Sequence, residues 1–396
     1  MSGDLSRLVC ATVLTAVASI GMGLCRAAET QAGKAGAVAP RDVSALGERD
    51  YALSAGYLKK NGRPPIDYVV EKFKDHDLVI LGEMHEIKEY CAFVSGLVEP
   101  LYRKAGVRVI AMESLNSKNN DALNRLASAG EYDQKLVVSL FRDFGDGIWG
   151  FKEYMDIPMA VWQLNRALPA DAEKMRLIGL NSEWTTQSID DAAKLTAVEK
   201  HMADQAAAEI LENGKKGLVQ IGCNHSFVKY RQLMLTKGGA REFFPRFAYL
   251  LYQRYGDRVF QVCLHEPHFK AGAEALKQQT LRDPLGGLVE KAYVLAGGKP
   301  LGFDVDGSPF ANLRDREDYF FDGQDNVVFS DLAEGYVILK PFADLDKKMT
   351  WVGGFISDGN FARARAFALA RGWVKADQCK TSAQLDARLK RIFEEN

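Results

Sequence analysis

A glutamate and a histidine two residues apart, Glu83 and His85, follow the apolar run Leu78 to Leu81 in the segment Gly82-Glu83-Met84-His85. A second Gly-x-x-His, Gly222-Cys223-Asn224-His225, follows another apolar run, Gly217 to Ile221. Between them, Glu113 ends the run Val107 to Met112, Asn181 and Glu183 follow Met175 to Leu180, and His265 and Glu266 follow Arg258 to Leu264. Imidazole and carboxylate in this mixture suit hydrolysis. A histidine oriented by a carboxylate can take a proton from water. Two histidines and a glutamate can instead hold a divalent cation, such as Mn, Co or Zn, with a position open for water, whose pKa the metal lowers. Asn224 could donate a hydrogen bond to a developing oxyanion.

Each motif is weak alone. A glycine at a strand end commonly serves a turn, and a carboxylate there commonly caps the next helix. The weight lies in the concentration: four of the six histidines, His85, His225, His265 and His268, fall just after apolar runs, although His268 lies past a proline and reads as peripheral. His76 and His201 read as solvated surface residues. Competing chemistries lack their signatures. There is no Gly-x-Ser-x-Gly elbow, no Gly-x-x-x-x-Gly-Lys-Ser/Thr loop and no His-Glu-x-x-His. Cys223 and His225 could pair as nucleophile and base, but nothing in the sequence supplies an orienting third group.

The elements that must gather these residues are short apolar runs separated by helical patterns. Continuous apolar runs fit parallel strands buried on both faces. Their alternation with helices, around 89–104, 119–128, 133–143, 151–167 and 188–212, predicts an α/β fold with a mostly parallel central sheet flanked by helices. Gly335 to Leu339 is a sixth strand candidate. Residues 298–334, rich in Gly, Asp and aromatics, read as an irregular insertion or lid. In open sheets of this kind ligands bind beyond the carboxyl ends of the strands, where the histidines and glutamates lie.

The 396 residues carry 51 basic and 52 acidic side chains, a formal net charge of -1. That balance gives no electrostatic footprint for nucleic acid. Arg7, the apolar stretch Leu8 to Cys25 and the small residues up to Ala28 predict a signal peptide over 1–27, cleaved after Ala27, and an exported, periplasmic protein. The alternative for this stretch is an uncleaved anchor; no later segment is long and apolar enough to span a bilayer. Leu24, large where a small residue is required, argues against a lipoprotein at Cys25. Residues 28–48 read as a flexible leader, 49–345 as the α/β domain and 346–396 as a helical C-terminal extension packed on it. Cys91, Cys223, Cys263 and Cys379 remain after cleavage, open to disulfides or to buried free thiols.

The strings LVILGEMHEIKEY, VIAMES, LIGLNSE and GLVQIGCNHSF, from about residue 66 to 270 and joined by GYVILKP, resemble the erythromycin-esterase/ChaN-like superfamily, which takes in the TIKI/TraB proteins. The resemblance implies an α/β core with Glu83, His85, Glu113 and His225 gathered at one end of the sheet. It implies a hydrolase acting on an ester or peptide bond of a small molecule or peptide, metal-dependent in the TIKI branch. The ChaN-like branch implies haem binding for iron acquisition instead. On the first reading the catalytic set is Glu83, His85, Glu113 and His225, with His85, Glu113 and His225 as the metal ligands and Asn181, Glu183, Asn224 and His265 near substrate. Glu83 and His85 stand two apart, whereas the esterases have an extra residue between them. The spacing is thus nearer the ChaN-like and TIKI-like pattern.

Overall fold

The computed structural model describes residues 39–144, 147–182, 192–235, 241–375 and 377–395. The expected signal peptide and most of the expected leader lie outside the described residues, as does Glu183. Among the described residues no helix is long and apolar enough to cross a membrane.

Seven strands form the central sheet: β1 (Leu78–Glu83), β2 (Val107–Asn116), β3 (Arg176–Asn181), β4 (Lys216–Gly222), β5 (Val259–Leu264), β6 (Leu301–Asp304) and β7 (Gly335–Ile338). Their spatial order is β6-β7-β5-β1-β4-β2-β3, and every pair is parallel except β6 with β7. The continuous apolar runs have the cause that was expected. Successive side chains of a strand point to opposite faces, and both faces are covered. Val79 and Leu81 enter one core, while Leu78 and Ile80 enter another.

The helices that build those cores are amphipathic. Helix α1 (Glu48–Asn61) precedes the sheet, and α2 (Lys88–Pro100) and α3 (Lys152–Ala167) cover the face of Val79. On the opposite face lie α4 (Ala192–Ala206) and α5 (Phe247–Tyr255), through Met202, Ala206, Phe247 and Leu251. A fully buried Leu or Ile contributes about 2 kcal/mol, so these two layers fix the strands' position and with it the strand ends.

The structure sharpens the reading of 298–334. Leu301–Asp304 is an edge strand, paired antiparallel with β7 at Phe303↔Tyr336. The aromatics that follow, Phe310, Tyr319, Phe320, Phe321 and Phe329, are buried in a third core with α6 (Leu288–Leu295), so this region is packed structure. Of the stretch 28–48, Arg41–Asp42 pairs in parallel with Leu313–Arg314, and Val43–Ala45 forms a helical turn before α1. The C-terminal segment forms α7 (Asp358–Ala370) and α8 (Ser382–Glu395). Trp351 stacks on Phe393 at 5.7 Å, and Phe393 meets Phe151 edge-on at 4.8 Å, so this segment shares the core of α2 and α3. Cys91, Cys223, Cys263 and Cys379 are free thiols.

Candidate functional site

Register brings the chemistry together. β1 and β4 run in parallel with Glu83 opposite Gly222, and β2 pairs with β4 up to Met112 opposite Gln220. The carboxyl ends of three adjacent strands therefore carry Glu83 and His85, Glu113, and the turn Cys223–Ser226 with His225.

Glu83 is buried and holds three partners. Tyr154 of α3 donates its hydroxyl to Oε1 at 2.7 Å, and Gln220 donates Nε2 to Oε2 at 2.9 Å. His85 Nδ1 lies 3.1 Å from Oε1. A carboxylate can only accept, so Nδ1 carries the proton and Nε2 is turned outward. That Nε2 lies 3.7 Å from Glu113 Oε2. The ring is backed by Trp149, edge-on at 5.0 Å. Tyr154 also accepts from the Glu86 amide at 3.1 Å; Glu86 has φ +66°, a left-handed conformation that costs a non-glycine residue about 1 kcal/mol or more.

His225 repeats the arrangement from the other side. Its Nδ1 lies 2.8 and 2.9 Å from the two oxygens of Glu199, a buried residue of α4, and its Nε2 lies 3.4 Å from Glu113 Oε1. Glu199 is itself fixed. Arg246, also buried, meets it at 3.1 Å, and the Phe247 amide at the start of α5 donates to it at 2.8 Å. Glu113 stands between the two imidazoles and accepts from the Gly222 amide at 2.7 Å. Gly222 leaves room for the imidazole, because a Cβ there would lie 2.7 Å from His85 Nε2 and would displace the ring.

The electrostatics follow from burial and partners. Burial alone would lower the His85 pKa. The hydrogen bond to Glu83 and the charges of Glu113, Glu83 and Glu86 outweigh it and raise the pKa to about 9. For Glu199, burial pushes upward, but Arg246 and His225 together bring its pKa below the ordinary value, so it is ionised at neutral pH. Burial raises the Glu86 carboxyl to about 7.

Other sequence candidates are engaged elsewhere. His265 is almost fully buried on the β5–β7 side, with Nδ1 2.9 Å from the Tyr336 hydroxyl and Nε2 3.2 Å from Glu290; its carbonyl accepts from Tyr90. The neighbour in sequence, Glu266, takes the place beside the cluster. Asn181 is buried, its Oδ1 accepting from the Ser182 amide at 3.0 Å. Asn224 accepts at Oδ1 from Gln232 Nε2 at 2.8 Å and at its carbonyl from Arg246 Nε at 3.0 Å, contacts that hold the His225 turn. His268 pairs with buried Asp318 at 2.6 Å. His201 is partly buried and bonds Ser117 Oγ at 2.8 Å, and His76 stacks on Phe260.

Glu199, Arg246, Tyr154, Gln220 and Trp149 escaped the sequence reading. Gln220 alone had a signal: it is a polar residue inside an otherwise apolar strand. Among the described residues no set of three or more His, Cys, Asp or Glu side chains is disposed to hold a metal ion. Glu113 Oε2 accepts from the Gly222 amide, and the His225 and His85 Nε2 atoms stand 3.4 and 3.7 Å from the two oxygens of that carboxylate.

Fold and site together define an α/β protein with two carboxylate-backed histidines converging on a third carboxylate at the strand ends. No protein-family model matches the chain, and no curated protein sequence matches it. Solved structures do. A succinoglycan biosynthesis protein matches with a TM-score of 0.52 at 11% identity, over 74% of this chain and 98% of that one. A mutant erythromycin esterase, EreC in its open conformation, matches with a TM-score of 0.46 at 9% identity, over 71% of this chain and 94% of that one. The haem-binding ChaN of Campylobacter jejuni matches with a TM-score of 0.35 at 13% identity, over 50% and 86%. The likeness to the succinoglycan biosynthesis protein is of fold alone, and the fold is the mostly parallel α/β arrangement that the superfamily resemblance implied.

Proposed function

We propose that the strand-end cluster is a hydrolytic site for an ester or peptide bond, working through its imidazoles and Glu113. One observation carries this reading: each imidazole has Nδ1 tied to a buried carboxylate and turns Nε2 toward the same residue, Glu113. A histidine held in that tautomer is a competent base at Nε2. His225 takes the proton of an attacking water, with Glu199 and Glu113 stabilising the imidazolium that forms. His85, protonated at neutral pH, offers its Nε2–H to the developing oxyanion. The proton on His225 then passes to the departing alkoxide or amine. The two histidines thus divide base and electrophile between them. The Arg7 to Ala28 leader supports placing this activity outside the cytoplasm, in the periplasm.

The test is hydrolysis by the purified protein across a panel of esters and peptides, with metal content and the absorption spectrum with added haem recorded alongside. Turnover that Glu113→Gln and His225→Asn both abolish supports the reading. A tight Soret band lost in His85→Ala, with no hydrolysis, would overturn it in favour of haem binding.

A further inference from the structure

The turn Cys223–Ser226 carries His225, so whatever grips this turn aims the base. β5 grips it at two points. Gln261, a buried polar residue in an otherwise apolar strand, donates Nε2 to Ser226 Oγ at 3.0 Å, and Ser226 in turn donates to the Cys223 carbonyl at 2.7 Å. At the other end, just past β5, Glu266 is hydrogen-bonded by the Cys223 side chain. Gly82 of β1 closes the third side, since a Cβ there would lie 2.3 Å from Ser226 Oγ.

Glu266 is 5% exposed, and its Oε2 is buried with no hydrogen-bond partner. A buried carboxyl oxygen left unpaired costs about 1–3 kcal/mol and calls for a reason. The hydrolytic steps above make no use of it. The titratable groups facing it are Cys223 from the turn, Glu83 and His85 from the end of β1, Tyr90 from α2, Cys263 from β5, His268 from beyond β5 and Tyr336 from β7.

We propose that Glu266 is a positioning residue of this site, one that acts through the Cys223 thiol to hold the turn and aim His225 at Glu113. This rests on the hydrolytic reading. The thiol donates to one carboxyl oxygen, and the other is the place for a proton. Burial, the largest influence, raises the carboxyl to about 7. Below that pH the side chain is neutral and can lie beside Glu83 without like-charge repulsion; above it a second anion faces Glu83.

Two variants separate positioning from bulk. Glu266→Gln keeps an acceptor for the thiol and stays neutral at every pH. Glu266→Ala removes the acceptor. With both folded by circular dichroism, Glu266→Ala is expected to lower kcat about tenfold with KM within twofold, an effect of one lost buried hydrogen bond. Glu266→Gln is expected to restore kcat and to weaken an inflection near pH 7 in the pH profile, leaving the part that comes from Glu86. A kcat within twofold of the parent for Glu266→Ala overturns the proposal. A second readout needs no substrate: the rate at which iodoacetamide alkylates Cys223, followed by mass spectrometry. Glu266→Ala should raise that rate at least fivefold, while Glu266→Gln leaves it near the parent value. An unchanged rate in Glu266→Ala overturns the lock. Faster alkylation together with a parent protein inert on every ester and peptide leaves the lock standing and sinks the hydrolytic reading alone.

Discussion

Two groups of histidines lie at the same edge of one sheet, and they have different fates. On the β1–β4–β2 side, His85 and His225 each spend one nitrogen on a buried glutamate and turn the other toward Glu113. On the β5–β7 side, His265 spends both nitrogens, on Tyr336 and Glu290, and His268 is paired with Asp318 against Phe320. All four follow apolar strands and all four have a carboxylate partner. What separates the two pairs is the nitrogen left over and what it faces, and on the proposed hydrolytic reading that nitrogen is what makes a histidine reactive.

The sharpest way to break this comparison is to neutralise the two acceptor glutamates in parallel. Glu113→Gln should lower kcat about 10³-fold, within the range for loss of an acid–base partner. Glu290→Gln should change kcat by less than about threefold. Equal losses would mean that the two sides are not distinct.

The next effect is on stability. Glu266 has a folded pKa raised to about 7, above its ordinary value of 4.5. The folded state therefore holds a proton that the unfolded chain has released between those values. The stabilisation is complete below about pH 4.5 and is lost as pH rises through 7, by up to about 3 kcal/mol. Urea unfolding from pH 4.5 to 7.5 should show the decline, and Glu266→Gln should make it shallower, leaving the share that Glu86, also raised to about 7, contributes.

His265→Leu should cost about 2 kcal/mol in urea unfolding, because it leaves the Tyr336 hydroxyl and Glu290 without their partner. Its kcat should stay within about threefold. The smallest expected effect is that of Gly222→Ala. The backbone there, φ -58° and ψ 143°, suits any residue, so stability should barely move. The new methyl group would displace His85 Nε2 from its place beside Glu113, and kcat should fall about tenfold.

Much of this was legible in the sequence, for a physical reason. Strands covered on both faces must be apolar along their whole length, so six of the seven stood out as runs. β6 did not: Leu301–Asp304 is a short edge strand in a Gly- and Asp-rich stretch, paired with β7 on one side and joined only by a lone bridge from Gly302 to Arg63 on the other. Glu83, His85, Glu113 and His225 were readable because ionisable groups directly after a buried strand have few places to point. Glu199 and Arg246 were not readable. A glutamate within an amphipathic helix looks like any solvated one, and only tertiary packing turns it inward to meet His225 and Arg246. His265 was readable for the wrong reason. The chain bends after Leu264, and it is Glu266 that turns toward Cys223 while His265 turns toward Tyr336.

The aromatic wall behind His85 sets an order in time. Trp149 touches His85, Phe151 touches Trp149, and Phe151 in turn rests on Trp351 and Phe393. A ribosome translating this message makes Glu83, His85, Glu113 and His225 well before it makes the residues that brace the wall. Trp149, the ring that meets His85, is made early, but the rings on which Phe151 rests, Trp351 and Phe393, come last. Completion of the wall is thus a late event in the birth of each molecule, and a chain stopped short of it would lack the rings that support Phe151.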